Sequence, residues 1–154
     1  QVASRWGNIL DFSDFDLITP NEKEARFALG DQDTVVRPLG SELYRQARCK
    51  TLILKMGGRG LITFRASVTE SPDHRQFFVL DSCAGNVVDA VGAGDALLAY
   101  ATLAMKATGN EVIASILGSL AAGVECEKNG NIPVSPEDVR RKLKDIDSHA
   151  NYGS

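Results

Sequence analysis

Two short apolar segments separated by a glycine-rich turn constrain the fold of this chain more than any other feature. The segments are Thr51–Lys55 (TLILK) and Leu61–Arg65 (LITFR), and Gly57, Gly58 and Gly60 lie between them. Both have the length and aliphatic composition of strands, and glycines permit the tight reversal that joins antiparallel neighbours. The sequence therefore predicts a β-hairpin, so the fold must contain a sheet.

Helix and strand signals alternate on both sides of the hairpin. Gly30 is expected to end a helix, while Ser135 and Pro136 are typical of an N-cap and a first helical residue. Strands and helices in this order favour a layered α/β domain. The predicted elements are a strand over 15–19, helices over 21–29 and 39–49, the hairpin, a polar loop over 66–75, a strand over 76–80, a glycine-rich loop over 81–94, and helices over 95–107, 110–128 and 136–146.

The length of 154 residues limits the chain to one domain. It supplies about four predicted strands, whereas doubly wound sheets usually have five or six or more. Either the domain is small, or the chain is the C-terminal part of something larger. The residues after Ile146 are expected to form a frayed tail over 147–154.

Composition excludes several classes of protein. A net charge of -3 and an isoelectric point near 5.4 argue against a nucleic-acid partner. The longest uncharged helical stretch, residues 112–124, has thirteen residues, against about 20 for a membrane span. Cys49, Cys83 and Cys126 form no CxxC pair and predict reduced thiols rather than zinc ligands. With no signal-like N-terminus, we expect a cytoplasmic protein without a membrane partner.

Residues 89–95 (DAVGAGD) are the most informative segment for chemistry. Gly92, Ala93 and Gly94 are small enough to let a ligand approach backbone N–H groups at the positive end of a helix, which suits phosphate oxygens. Asp95 would repel phosphate, but it fits phosphoryl transfer if its carboxylate accepts the proton of an attacking hydroxyl. The alternative is that Asp95 only stabilises the helix, by capping or through the dipole.

Other phosphate-binding motifs do not match this segment. The dinucleotide fingerprint GxGxxG would need glycine where Leu97 stands, and the P-loop pattern does not occur.

Asn21 and Glu24 lie three residues apart at a predicted helix start, directly after a strand. Ligands of open α/β sheets bind at the carboxyl ends of strands, so Glu24 could hold Mg²⁺ there, directly or through water. The alternative is a capping box, in which the two residues only satisfy the helix N-terminus.

Residues 55–60 (KMGGRG) also admit two interpretations. They form a simple glycine hairpin turn, or a turn kept small so that a nucleotide can lie against it, with Lys55 or Arg59 near phosphates. Of these two cations, Arg59 is expected to be solvated.

In order and spacing these segments resemble the PfkB, or ribokinase-like, carbohydrate kinase family, over about residues 15–146. The resemblance implies a three-layer α/β/α sandwich, of which residues 1–146 would be the C-terminal ATP-binding part without the sugar-binding and lid half. The matching motifs are PNxxE (Pro20, Asn21, Glu24), GxxG after a strand (Gly57, Gly60) and DxxGAGD (Asp89, Gly92, Ala93, Gly94, Asp95).

This resemblance further implies ATP-dependent phosphorylation of a sugar or sugar-phosphate hydroxyl. Asp95 would be the general base, and the backbone at Ala93, Gly94 and Asp95 would form the anion hole. Asn21 and Glu24 would place Mg²⁺, and a monovalent cation such as K⁺ would lie beside Asp89. The implied nucleotide contacts are Asn21, Glu24, Lys55, Gly57, Gly60, Ser119 and Ala122.

The last third of the chain adds a subgroup. Residues 121–123 (AAG), 128–130 (KNG) and 134–136 (VSP) resemble the heptose-phosphate kinases of lipopolysaccharide precursor synthesis.

Three positions depart from the family pattern, Ala90 and Lys55 where threonine is usual and Ser119 where asparagine is frequent. They affect nucleotide and cation preference and leave the proposed base in place. The alternatives are therefore a non-catalytic nucleotide-binding module or an inactive fragment, while Leu97 argues against an NAD domain. A homodimer, or association through an exposed sheet edge, is also expected.

Overall fold

The structure is a computed structural model of the chain and describes residues 8–66, 76–130 and 132–152. The chain divides into two compact units, residues 1–82 and 83–154. Within the described residues, the strands belong to the first unit and the three longest helices to the second.

The described part of the first unit contains a four-stranded sheet. Its strands are Leu17–Ile18 (β1), Thr51–Lys55 (β2), Leu61–Arg65 (β3) and Phe77–Leu80 (β4), in the spatial order β1-β2-β3-β4. β2 pairs with β1 in parallel and with β3 in antiparallel, and β3 pairs with β4 in antiparallel. The predicted hairpin is confirmed, and β1 is shorter than the predicted strand over 15–19. The loop predicted over 66–75 lies outside the described residues except for Ala66.

Two helices follow β1 in the first unit. The helix Glu22–Leu29 (α1) ends at Gly30, whose φ of 63° is the left-handed conformation that glycine adopts without strain. The helix Val36–Ala47 (α2) begins before the predicted start at Leu39. Its early start is possible because Pro38 lies in the first turn, where the missing N–H breaks no intrahelical bond.

The core of the first unit lies between these helices and the sheet. Leu39, Leu43 and Ala47 form the buried face of α2. They belong to one apolar cluster with Ile9, Ile18, Ala25, Cys49, Leu52, Leu54, Ile62 and Phe64.

The second unit is helical in its described residues, with helices Ala93–Thr108 (α3), Glu111–Glu127 (α4) and Pro136–Tyr152 (α5). Between α3 and α4, Gly109 has a φ of 62°, and the Asn110 side chain accepts hydrogen bonds from two N–H groups of the next turn. A Cβ at Gly118 would lie 3.0 Å from the Leu97 carbonyl oxygen. The absence of a side chain therefore allows α4 to approach α3 closely.

α5 starts as predicted and ends later than predicted. Ser135 Oγ accepts from Asp138 N at 3.2 Å, and the Asp138 carboxylate accepts from Ser135 N at 3.1 Å, so each residue caps the other. The tail predicted to fray from residue 147 is helical as far as Tyr152. The prediction was wrong there because no glycine or proline interrupts the helix between Pro136 and Gly153.

Candidate active site

Asn21 and Glu24 form a capping box at the start of α1. Asn21 Oδ1 accepts from Glu24 N at 2.9 Å, and Glu24 Oε2 accepts from Asn21 N at 2.7 Å. The capping alternative is therefore realised in the structure. It occupies one oxygen of each side chain, and both side chains are half-buried. A second role in placing a metal remains a prediction.

The ends of β1 and β2 bring two of the predicted segments together. Lys55 N donates to the Pro20 carbonyl at 2.9 Å, and Asn21 and Lys55 form a parallel bridge. The PNxxE segment and the start of the KMGGRG turn therefore lie side by side at the carboxyl end of the parallel strand pair. This is the edge at which open α/β sheets bind their ligands.

A second link between these two segments is an ion pair. Arg59, expected to be solvated, keeps 62% of its side chain exposed and yet pairs with Glu22 of α1. Glu22 also binds Arg26 at 2.8 Å. Hydrogen bonding from Arg26, with smaller effects from the charges of Arg59 and Arg26, holds the pKa of Glu22 below its ordinary value. Arg59 is therefore already engaged on this side of the turn.

The glycines of the turn have different reasons to be glycine. Gly60 has a φ of 83°, and a Cβ there would lie 2.0 Å from the Leu80 carbonyl oxygen, so the approach of β4 excludes any side chain. Gly57 has a φ of 60°, which the turn requires. Gly58 has neither constraint, since a Cβ there would meet no atom of the described residues within 4 Å. Among those residues, the surface above Gly57 and Gly58 is open, as a nucleotide resting on the turn would require.

The DAVGAGD segment turns sharply into α3. Asp89 Oδ1 accepts from Val91 N at 3.0 Å, and Gly92 takes the N-cap position with a φ of 87°. Asp95 N donates to the Gly92 carbonyl at 3.0 Å, whereas Ala93 N reaches the Ala90 carbonyl only at 3.4 Å. The turn itself therefore uses the Asp95 N–H.

The predicted anion hole has fewer available donors than the three N–H groups expected at Ala93, Gly94 and Asp95. Within the described part of the chain, no acceptor is bonded to the Gly94 N–H. The Ala93 contact is long for a hydrogen bond. The structure therefore leaves Gly94, and to a lesser degree Ala93, to donate to an anion.

The Asp95 carboxylate is exposed at the third helical position of α3. Its helix has no side-chain cap, and no described residue bonds or pairs with this carboxylate. Capping therefore does not explain Asp95, and only its interaction with the helix dipole remains as a structural role.

Ser119 and Ala122, the remaining predicted nucleotide contacts, lie on α4. Ser119 is buried, with 6% of its surface exposed, and Ala122 is half-buried. Their role in binding a nucleotide remains a prediction.

The three cysteines are free thiols, as the sequence predicted. Burial raises the pKa of Cys49 to about 12, so its thiol stays protonated and unreactive at neutral pH. Among the residues that the structure describes, no group of three or more His, Cys, Asp or Glu side chains could hold a metal ion.

Comparison with known proteins identifies the family. The family model of pfkB family carbohydrate kinases matches residues 5–138. The chain belongs to the pfkB family of carbohydrate kinases. This agrees with the resemblance based on the three motifs.

Relatives of this pfkB-family chain include two proteins named Bifunctional protein HldE. The one from Alkalilimnicola ehrlichii is 35% identical over 132 residues, which are 84% of this chain and 26% of that protein. The one from Desulfatibacillum aliphaticivorans is 30% identical and covers 83% of this chain and 25% of its own length. The chain thus spans about a quarter of these relatives.

Solved structures support a ribokinase-like α/β fold. The phosphofructokinase-2 of Escherichia coli in complex with potassium has a TM-score of 0.75 at 18% identity, covering 92% of this chain and 44% of that chain. The ribokinase of Thermotoga maritima has a TM-score of 0.69 at 24% identity, covering 84% of this chain and 42% of that chain. None of the helices in the described ranges combines the length and apolar character needed to cross a membrane.

Sequence reasoning missed two side chains that contact the loop before α3 or each other in this pfkB-family chain, Glu127 and Lys142. Glu127, at the end of α4, accepts a hydrogen bond from Gly85 N at 2.7 Å and also contacts the Lys142 ammonium group. The sequence did contain an electrostatic signal for Glu127. An acid in the last turn of a helix interacts unfavourably with the helix dipole, which indicates that another contact stabilises it.

Proposed function

We propose that this chain is the ATP-side part of a kinase that phosphorylates a hydroxyl group of a sugar or sugar phosphate. The observation that carries the proposal is the Asp95 carboxylate, which stands exposed at the glycine-bounded start of α3 with no partner among the described residues. A general base needs an oxygen that is accessible and uncommitted. Membership of a carbohydrate kinase family supports this function over a non-catalytic module.

In the proposed reaction, Asp95 accepts the proton of the attacking hydroxyl while the new oxygen–phosphorus bond forms and the bond to the departing ADP breaks. The N–H groups of Gly94 and Ala93, at the positive end of α3, stabilise charge on the transferring phosphoryl group. Phosphoryl transfer depends mainly on such positioning and charge stabilisation.

The residues at the carboxyl ends of β1 and β2 fit a water-mediated Mg²⁺ site. Glu24 uses Oε2 in the capping box, which leaves its other oxygen for a metal-bound water. Mg²⁺ usually keeps several waters and needs only one or two protein carboxylates. When bound, the ion would neutralise phosphate charge. We assign Asn21 and Glu24 to this role, and Asp89 to a monovalent cation such as K⁺.

We assign the nucleotide to the open turn surface at Gly57 to Gly60, beside Lys55, and to Ser119 and Ala122 of α4. Two observations support the turn: its position at the carboxyl ends of the strands and the open space above Gly57 and Gly58. Such an enzyme is expected to act in the cytoplasm, where ATP is available. Homodimer formation, or association through an exposed sheet edge, remains a prediction.

For the acceptor we propose a heptose phosphate. The support is the resemblance of residues 121–123, 128–130 and 134–136 to heptose-phosphate kinases, together with relatives named Bifunctional protein HldE. The test is to incubate the complete protein with Mg·ATP and a panel of heptose, hexose and pentose substrates, free and phosphorylated, and to measure ADP release and the phosphorylated product. Preference for another sugar would overturn the acceptor, and no turnover with any of them would overturn the kinase.

A further inference from the structure

The loop that leads into α3 is fastened to the C-terminal end of α4. Val88 N and Asp89 N both donate to the Cys126 carbonyl, at 2.7 and 3.1 Å. Gly85 N donates to Glu127 Oε1 at 2.7 Å. The loop is therefore held by a backbone carbonyl near Asp89 and by the Glu127 side chain further upstream.

The same loop also packs tightly on α4. A Cβ at Gly123 would lie 2.8 Å from the Cys83 carbonyl oxygen, so α4 has no room for a side chain where the loop crosses it. These contacts define the path of the loop at Cys83, at Gly85 and at Val88 with Asp89.

Glu127 stands where its charge is unfavourable for its own helix. It is the last residue of α4, at the negative end of the dipole, and the last turn contains no basic residue. Lys142 of α5 contacts Glu127 Oε1, the same oxygen that accepts from Gly85 N. The Glu127 side chain is 31% exposed and the Lys142 side chain 15%. The lysine therefore stabilises a carboxylate whose other contact is with the loop.

We propose that Glu127, held by Lys142, is a positioning residue for the transfer reaction. It fixes Gly85, and together with the Cys126 carbonyl it sets the path of the loop into Gly92 and hence the place of Asp95. The inference rests on the proposed function. Its expected effect is large because a displacement of about 1 Å from the productive geometry can lower a rate about 100-fold.

The test compares Glu127→Ala, Glu127→Gln and Lys142→Ala in the complete protein, with Glu137→Ala as the matched control. Glu137→Ala also removes an acid from an ion pair, with Arg140 at 2.7 Å, but it leaves the loop untouched. We expect Glu127→Ala to lower kcat about tenfold, with KM for both substrates within about twofold. Glu127→Gln should restore most of the loss, because its amide oxygen can still accept from Gly85.

Hydrogen exchange supplies a second readout. Amides of residues 83–92 should exchange faster in Glu127→Ala than in the control. The double variant Glu127→Ala with Lys142→Ala should be no slower in turnover than Glu127→Ala alone, since both side chains act through one oxygen. If Glu127→Ala does not fold, Lys142→Ala should still lower kcat at unchanged KM, by less than is expected for Glu127→Ala.

Unchanged kcat in Glu127→Ala, or an equal loss in Glu137→Ala, would overturn the positioning role while leaving the kinase intact. A wild-type protein that phosphorylates no acceptor would instead overturn the proposed function, and with it the catalytic part of this inference. The two failures are therefore distinguishable.

Discussion

The first turns of α1 and α3 carry the same local pattern and use it differently. Each has an acid at the third helical position, Glu24 in α1 and Asp95 in α3. Glu24 closes a reciprocal capping box with Asn21. Asp95 follows a glycine N-cap that offers no side chain, and its carboxylate bonds to none of the described residues.

This difference separates a stabilising acid from one that is available for chemistry. A capped N-terminus satisfies its N–H groups with its own side chains. A glycine N-cap leaves N–H groups and the acid to a ligand. The helix start that contributes less to its own stability is thus the one better suited to catalysis.

The largest expected effect comes from Asp95→Asn. We expect turnover to fall about 100- to 10,000-fold because the proton acceptor is lost. The free energy of unfolding should change by less than about 1 kcal/mol, since only a dipole interaction disappears. Steady-state kinetics and thermal melts of the complete protein measure both, with the exposed Asp11→Asn as control. Turnover near that of the wild type would show that Asp95 is not the base.

Asn21→Ala, at the start of α1, should lower stability more than Asp95→Asn does. Removing the Oδ1 acceptor leaves the Glu24 N–H without its bond, so we expect about 1 kcal/mol lower stability. Asn21→Ser keeps an acceptor oxygen and should recover most of this loss. Denaturant melts without Mg²⁺ measure the effect apart from any metal role. Equal stability of the alanine and serine variants would mean that the cap contributes little.

Glu24→Gln distinguishes the two roles assigned to one residue. Glutamine also closes a capping box, so stability should stay within a few tenths of a kcal/mol of the wild type. The removed charge should raise the Mg²⁺ concentration for half-maximal activity about three- to tenfold. Glu24→Ala should lose both stability and metal affinity. An unchanged Mg²⁺ dependence in Glu24→Gln would leave capping as the function of Glu24.

The sequence predicted the elements of this chain well where a local signal existed. Glycines mark the helix ends at Gly30 and Gly109, and the alternation of apolar runs and glycines located the hairpin. The errors arose where local signals are ambiguous. Pro38 did not delay α2, and the polar residues after Ile146 did not end α5.

Of the candidate site, the sequence indicated the residue types but not their bonding. The patterns around Glu24 and Asp95 each admitted capping, and only the structure shows that one caps and the other does not. Glu127 binds Gly85 across 42 positions in sequence. No periodicity or spacing rule reports a contact over such a separation.

α5 offers a third acid at the same helical position, and its pH response gives the smallest effect. The pKa of Asp138 is lowered from its ordinary value of 3.8, first by the Lys128 hydrogen bond and then by Ser135. A lowered pKa in the folded state means that the carboxylate adds stability at neutral pH and loses it as the pH falls below about 4. We therefore expect Asp138→Asn to lower Tm slightly at pH 7, with the difference from wild type shrinking between pH 4 and pH 2.

Asp95→Asn, which removes no such bond, should show a smaller Tm difference in the same pH series of melts. A Tm difference for Asp138→Asn that does not depend on pH would show that the charge on Asp138 does not stabilise α5, and would remove the contrast between these two helix starts.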